Sequence, residues 1–327
     1  MVRVVRYSRL PTEQPNPRSR SLDRLPTLRL LRLMNREDAR VIRAVEQRLA
    51  QIARAVRLIS HALRQEGRLF FAGAGTSGRL GVLEAAECSP TFHTDASVVQ
   101  AIIAGGTRAV FRSQEGAEDH RLSARVAIRR RVRRGDAVVG ISASGVTPFV
   151  DEALRTARSR RARTILVTCH PRPTIPADIR IALSVGPEVL SGSTRLKAGT
   201  ATKLVLNMLT LGAMVQWGKT YGNFMVDVRP SSRKLRARAL GIIRSLARVS
   251  ERTASAHLQA AHGRVKVAVL MAAARLPYRV ALRRLAAVNG SLHRTLHTRG
   301  EQQAASSQRC PTRPARRSPL AASSRGL

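Results

Sequence analysis

The sequence predicts an α/β fold, a doubly wound parallel sheet of five strands followed by a small all-helical C-terminal domain. Three observations predict it. Five short apolar runs, at residues 69–71, 98–104, 137–142, 164–168 and 179–185, are interleaved with stretches of helical period. Strands covered by helices on both faces read as such runs. Loops rich in Ser, Thr and Gly then lead into helices at three places. After residue 230 the strand pattern stops, and residues 232–249, 253–262, 264–275 and 277–297 read as short helices with no strand between them.

The chain opens with an arm over residues 1–34, broken by Pro11, Pro15, Pro17 and Pro26. A long helix is expected next. Asn35 suits its N-cap, and Glu37 and Asp38 suit the first turn of a helix dipole. Val41, Val45, Leu49, Ile52, Val56, Ile59 and Leu63 recur every three or four residues, which makes one apolar stripe, and Gly67 ends it. The stripe is core or a dimer seam.

Residues 68–90 read as strand, turn, helix. Leu69 to Phe71 are apolar, Gly73 to Gly78 form a turn of small residues, and Leu80, Val82, Leu83, Ala85 and Ala86 recur at helical spacing. Such a turn leaves backbone N–H groups free at a helix N-terminus, where an anion is stabilised. Gly73, Gly75 and Gly78 also fit the spacing of a dinucleotide fingerprint. That fingerprint wants an acidic residue at the end of the next strand, where this chain has Gly105 and Gly106. Two hydroxyls in the turn, Thr76 and Ser77, suit a phosphate monoester better than a pyrophosphate. The bland alternative is a glycine turn that only packs helix on strand.

The remaining helices are expected at 108–133, whole or broken, at 147–158 and at 196–217. In an open parallel sheet ligands bind beyond the carboxyl ends of the strands. Two more loops there repeat the first design. Ser142, Ala143, Ser144 and Gly145 precede a helix that starts near Thr147 and Pro148. Ser191 to Lys197 open the most apolar helix of the chain. Three such loops at one sheet edge would form a cup of hydroxyl and amide donors for a phosphate.

Composition bounds the function. The 327 residues can bury a large core, and 43% apolar residues mark a globular chain. No apolar run reaches membrane-spanning length without polar interruption, and the basic N-terminus has no apolar signal core, so a cytoplasmic protein without membrane contact is expected. Cys88, Cys169 and Cys310 are far apart and show no metal-ligand spacing. The net charge of +38 raises nucleic acid as a partner. The basic residues are spread from end to end without interleaved aromatics, however, so solvated faces are the preferred reading.

The motifs together resemble the N-acetylmuramic acid 6-phosphate etherases, a family of the SIS (sugar isomerase) superfamily. The resemblance rests on GAGTSGRLGVLEAAECSPTF, IAGG, EGAED, GISASGVTP, VGPEV, SGSTRLKAGTATKLVLNML and YGNFMVDV, in that order, with TEQPNP, LPT and NRED in the arm. It runs from about Thr12 to about Leu296. It implies an SIS-type phosphosugar-binding domain at 35–230, a helical domain at 231–297, and outside it a tail at 298–327 that is expected to be disordered. The chain departs from the family at Val146, where Arg is common, and in a short segment between Cys169 and Gly186 that holds three prolines.

The resemblance implies a cytoplasmic homodimer that uses no metal or cofactor. It cleaves the D-lactyl ether of its sugar phosphate to give N-acetylglucosamine 6-phosphate and D-lactate. Such chemistry asks for two carboxyl groups in different protonation states. By resemblance Glu87 is the acid and Glu118 the base. Phosphate and substrate contacts carried over are Thr76, Ser77, Gly78, Ser142, Ser144, Gly145, Ser191, Ser193, Thr194 and Lys197. Without the resemblance Glu87 reads as an N-cap partner or a salt-bridge residue before Pro90, Glu118 as an exposed charge and Lys197 as a solvated lysine. A regular helix after Gly78 would hold Glu87 far from the phosphate turn, so the helix ends early or the site borrows residues from a second subunit. A phosphosugar aldose–ketose isomerase, a non-catalytic sugar-phosphate sensor and a nucleic-acid binder are the competing readings.

Overall fold

The computed structural model describes Ser8 and residues 10–297. The expected disorder of the tail at 298–327, and Cys310 with it, lies outside these residues. The sheet is built from β1 (Leu69–Gly73), β2 (Val99–Ile103), β3 (Ala137–Ile141), β4 (Arg163–Thr168) and β5 (Ile179–Ala182). All pairings are parallel, in the order β2-β1-β3-β4-β5. The order reverses between β1 and β3, so the crevice expected at such a switch point opens beyond Gly73 and Ile141.

Alternation along the strands sends side chains to two cores. Leu69, Phe71, Val139 and Ile141 join the core under α1 (Thr27–Glu46), α2 (Leu49–Arg64), α3 (Gly75–Phe92) and α7 (Lys197–Gln216). Phe70, Ala72 and Val138 face the core of α5 (Arg121–Arg131) and α6 (Pro148–Ser159), with the short α4 (Arg108–Phe111) preceding α5. α7 is long and apolar enough to cross a membrane by length and composition. Its Ala201, Val205, Leu206, Leu209 and Ala213 are instead buried in the first core.

The C-terminal helices α8 (Arg233–Ala247), α9 (Glu251–Ala260), α10 (Val265–Ala274) and α11 (Tyr278–Ala287) build a third core around Ile243, Leu258, Ala268 and Leu270. Residues 292–297 are helical as well, and Leu292 is buried in this core.

The helix expected over 277–297 is divided at 288–291, and two boundaries at the start of the chain also differ from the sequence reading. The first helix starts at Thr27, after Pro26, and Asn35 is exposed within it rather than capping it. Proline ahead of a first turn is a normal helix start, and it outweighs an Asn whose cap partner is absent. The single long helix is two. Gln47 closes α1, and Arg48, at φ −117° and ψ 9°, lies outside helical geometry. Arg48 Nε donates to the carbonyl of Ala182 at 2.7 Å at the end of β5, a contact that accompanies the turn.

The arm is fixed by a buried charge cluster. Glu37 of α1 is 2% exposed. Its carboxylate accepts from Lys197 Nζ at 2.5 Å, Asn16 Nδ2 at 2.9 Å and Arg18 at 3.1 Å. Asn16 also donates to the Pro187 carbonyl at 3.1 Å, and the Gly192 N–H donates to the Thr12 carbonyl at 3.0 Å. The arm and the 187–192 segment therefore run past each other in opposite directions, joined at both ends.

Candidate active site

The crevice holds a cavity of about 260 Å³. Four segments wall it: the arm with Leu10, Thr12 and Glu13; the start of α3 with Ala74, Gly75, Thr76 and Ser77; the approach to α6 with Ser144, Val146, Thr147 and Pro148; and Gly192 with Thr194. Glu118 and Asp119 close one side.

Each wall has a local cause. β1 ends at Gly73, and α3 begins at Gly75 with φ +51° and no side chain capping it, so its first-turn N–H groups are left for a ligand. The helix thus starts earlier than its apolar pattern suggested. Its first turn needs a glycine at 78 because β1 and β2 lie against it. A Cβ at Gly78 would sit 2.6 Å from Ile103 Cγ1 and 2.7 Å from the Gly73 carbonyl oxygen. Gly78 is therefore a packing glycine and does not line the cavity.

The second loop is braced from behind. Ser142, 1% exposed, accepts the Gly145 N–H at 3.0 Å and bonds Thr147 Oγ1 at 2.8 Å. Gly145 takes φ +72°. Both hold the loop in shape from outside the cavity wall, while Ser144 reaches it.

The third loop opens α7, which no residue of its own caps. Glu188 does so from nine residues upstream, its carboxylate accepting the N–H groups of Lys197 at 3.0 Å and Ala198 at 2.8 Å. Burial pushes the Glu188 carboxyl up from its usual range despite those bonds. Of this loop Gly192 and Thr194 line the cavity, and Ser191 and Ser193 do not. The expectation that Lys197 reaches substrate is corrected. Its side chain is fully buried and ion-paired with Glu37, because the first turn of α7 turns inward onto α1.

The two expected carboxyl groups are separated. Glu118 lines the cavity. Burial, followed by the neighbouring charges of Asp119 and Glu115, pushes its carboxyl above the ordinary range. A base of raised pKa is a stronger proton acceptor once ionised. Glu87 is exposed on α3 and does not line the cavity. The helix does not end early: it runs through Pro90 to Phe92. Twelve residues past Gly75, Glu87 lies ~18 Å along the axis from the phosphate turn at ~1.5 Å per residue. One turn before it, Glu84 is buried and takes Lys203 Nζ at 2.5 Å. Burial pushes the Cys88 and Cys169 thiols up to about 12, which makes both poor nucleophiles at neutral pH.

Among the described residues, none that lines the cavity is Lys, Arg or His. In a chain of net charge +38 this is informative. Of the described lining residues, those suited to an anion are the helix N-termini and hydroxyl groups. Among the described residues no group of three or more His, Cys, Asp or Glu is placed to hold a metal ion.

Known proteins match this architecture. The family described as glucokinase regulatory protein N-terminal SIS domain matches residues 51–158, and the SIS domain family matches residues 113–212. An N-acetylmuramic acid 6-phosphate etherase of Gloeothece citriformis is 49% identical over 290 residues, covering 88% of this chain and 95% of its own. Its counterpart in Gloeobacter violaceus is 56% identical over 272 residues, covering 82% and 89%. That of Crocosphaera subtropica is 50% identical over 274 residues, covering 83% and 90%. With half of the positions shared over most of the length, the chain belongs to the N-acetylmuramic acid 6-phosphate etherase family.

Proposed function

We propose that this enzyme cleaves the D-lactyl ether of N-acetylmuramic acid 6-phosphate, giving N-acetylglucosamine 6-phosphate and D-lactate. The observation that carries the reading is the joining in one cavity of an uncapped helix N-terminus, a ring of hydroxyls and a carboxyl group of raised pKa. The phosphate sits against the first turn of α3 and the Ser144–Thr147 loop. The open-chain sugar presents its C2 hydrogen to Glu118. The Glu118 carboxylate takes that proton, the C3–O bond breaks, and an acid gives the departing lactate oxygen a proton. Water then adds at C3 of the unsaturated aldehyde, and C2 regains a proton.

The acid in this reading is Glu87 of a second copy of the chain. Leu83, one turn before Glu87 on α3, is 45% exposed, and Met208, Leu211 and Val215 are exposed on α7, which packs against α3. These apolar residues favour a copy-to-copy contact that would carry Glu87 toward a neighbouring cavity. The reaction runs in the cytoplasm without a metal or cofactor.

D-lactate release from N-acetylmuramic acid 6-phosphate tests the reaction, and Glu118→Gln is expected to lower it at least ~10²-fold. Binding of the sugar phosphate without lactate release would replace the etherase with a sensor. Mixing Glu87→Gln with Glu118→Gln subunits tests the sharing. Random exchange between dimers restores about a quarter of wild-type sites if the two residues act across the contact, and none if they act within one chain.

A further inference from the structure

A third carboxylate stands in the cavity. Glu13, from the TEQPNP segment of the arm, lines it together with Thr12 and Leu10. Its backbone is fixed: the Glu13 N–H closes a turn on the Leu10 carbonyl at 3.0 Å, and the Thr12 carbonyl is tied to the Gly192 N–H at 3.0 Å. Leu10 and Thr12 are 6% and 3% exposed, so the segment is seated rather than draped. The carboxylate is placed as well. Oε1 accepts Thr12 Oγ1 at 3.1 Å, and Oε2 lies over Gly192, 3.0 Å from where a Cβ would stand. Any side chain at 192 would push it out of place, and the φ of +76° there already asks for glycine.

Glu13 has no structural task that explains a charge. Glu37, Asp136, Glu152 and Asp227 each pair with a cation, whereas Thr12 is the only side-chain partner of Glu13 among the described residues. The chain carries 58 Lys and Arg against 20 Asp and Glu, yet among the described residues no cation lines the cavity that this acid faces. Near a bound phosphate it is unfavourable electrostatically. A carboxylate accepts hydrogen bonds and donates none, so its natural partners in a phosphosugar are hydroxyl or amide N–H groups.

We propose that Glu13 is a substrate-contacting specificity residue, its carboxylate accepting hydrogen bonds from the hydroxyl or amide N–H groups of the sugar. The proposal rests on the phosphosugar reading of this cavity. The arm thereby completes the sugar end of the site, while the helix N-termini serve the phosphate. Glu13 also disfavours small phosphates that bring repulsion without hydroxyl groups to repay it.

The test compares two ligands on the full chain, N-acetylglucosamine 6-phosphate and inorganic phosphate, with wild type, Glu13→Gln and Glu13→Ala. Glu13 is exposed at the cavity rim, and circular dichroism and the melting temperature check that each variant folds. Loss of a charged acceptor is expected to weaken the sugar phosphate ~10–100-fold. Inorganic phosphate is expected to bind as well as before, or tighter. In turnover, Glu13→Gln should raise KM more than it lowers kcat. A parallel loss of both ligands, or no loss of either, overturns the proposal. A wild type that binds the sugar phosphate but releases no D-lactate would overturn the etherase reading alone, and the ratio of the two affinities would still decide the role of Glu13.

Discussion

Removing Glu37 should strand a charge in the interior. The Lys197 side chain is 0% exposed and its one ion-pair partner among the described residues is Glu37, at 2.5 Å. In Glu37→Ala the ammonium stays buried without its ion-pair partner, with Glu188 engaged on the helix N–H groups, which costs about 3–5 kcal/mol. At about 2 °C per kcal/mol for a chain of this size, the melting temperature should fall by ~6–10 °C. Lys197→Met alone should cost less, because Asn16, Arg18 and Arg40 still satisfy Glu37. The double variant Glu37→Leu with Lys197→Met leaves neither charge and should recover much of the loss. The pH dependence has a definite sign. Burial raises the Glu37 carboxyl, and the bonds from Lys197, Asn16 and Arg18 more than reverse it, to about 2 from 4.5. A depressed carboxyl stabilises the folded state above its unfolded value and loses that contribution as pH falls through the folded one. About 3 kcal/mol should therefore disappear between roughly pH 4.5 and 2 in wild type and be missing in the Glu37 variants. Thermal melts over that range measure it. Two results would refute the reasoning: Glu37→Ala melting with wild type, or Lys197→Met raising KM with its melting temperature unchanged. The second would mean that Lys197 meets substrate.

Two further outcomes follow from the site. Asp119 helps hold the Glu118 carboxyl up, so Asp119→Asn should move the acidic limb of the kcat/KM profile to lower pH, since a base works only when ionised; a limb that stays in place would separate Glu118 from the rate. Gly78→Ala should destabilise by about 3 kcal/mol or more, because its Cβ meets the Gly73 carbonyl and Ile103. Gly75→Ala, with open space but φ +51°, should cost only about 1–2 kcal/mol in urea unfolding, and the reverse order would contradict the packing described.

The parallel sheet was legible because its signals are local. Apolar runs such as Ala137–Ile141 and turn residues such as Gly73 to Ser77 report their own backbone state whatever surrounds them. The crevice was legible for a related reason, since loop chemistry at the carboxyl ends of parallel strands places Thr76, Ser77 and Ser144 at one sheet edge. Local signals also mislead where distant contacts intervene. Asn35 suited an N-cap but lies inside α1, and the stripe from Val41 to Leu63 concealed a turn at Arg48 that sits against the end of β5. Lys197 read as a solvated or substrate-facing cation until Glu37, 160 residues away, was seen to take its charge. Glu13 carried no periodic signal at all, and only the crossing of the arm over Gly192 brings it to the cavity. The sequence by itself determined which segments are strands, helices and glycine-rich turns, because propensity and periodicity act within a few residues. Which polar side chains face the cavity and which are spent holding the frame was decided by tertiary packing, because a buried charge takes its role from partners that the chain brings to it from far away.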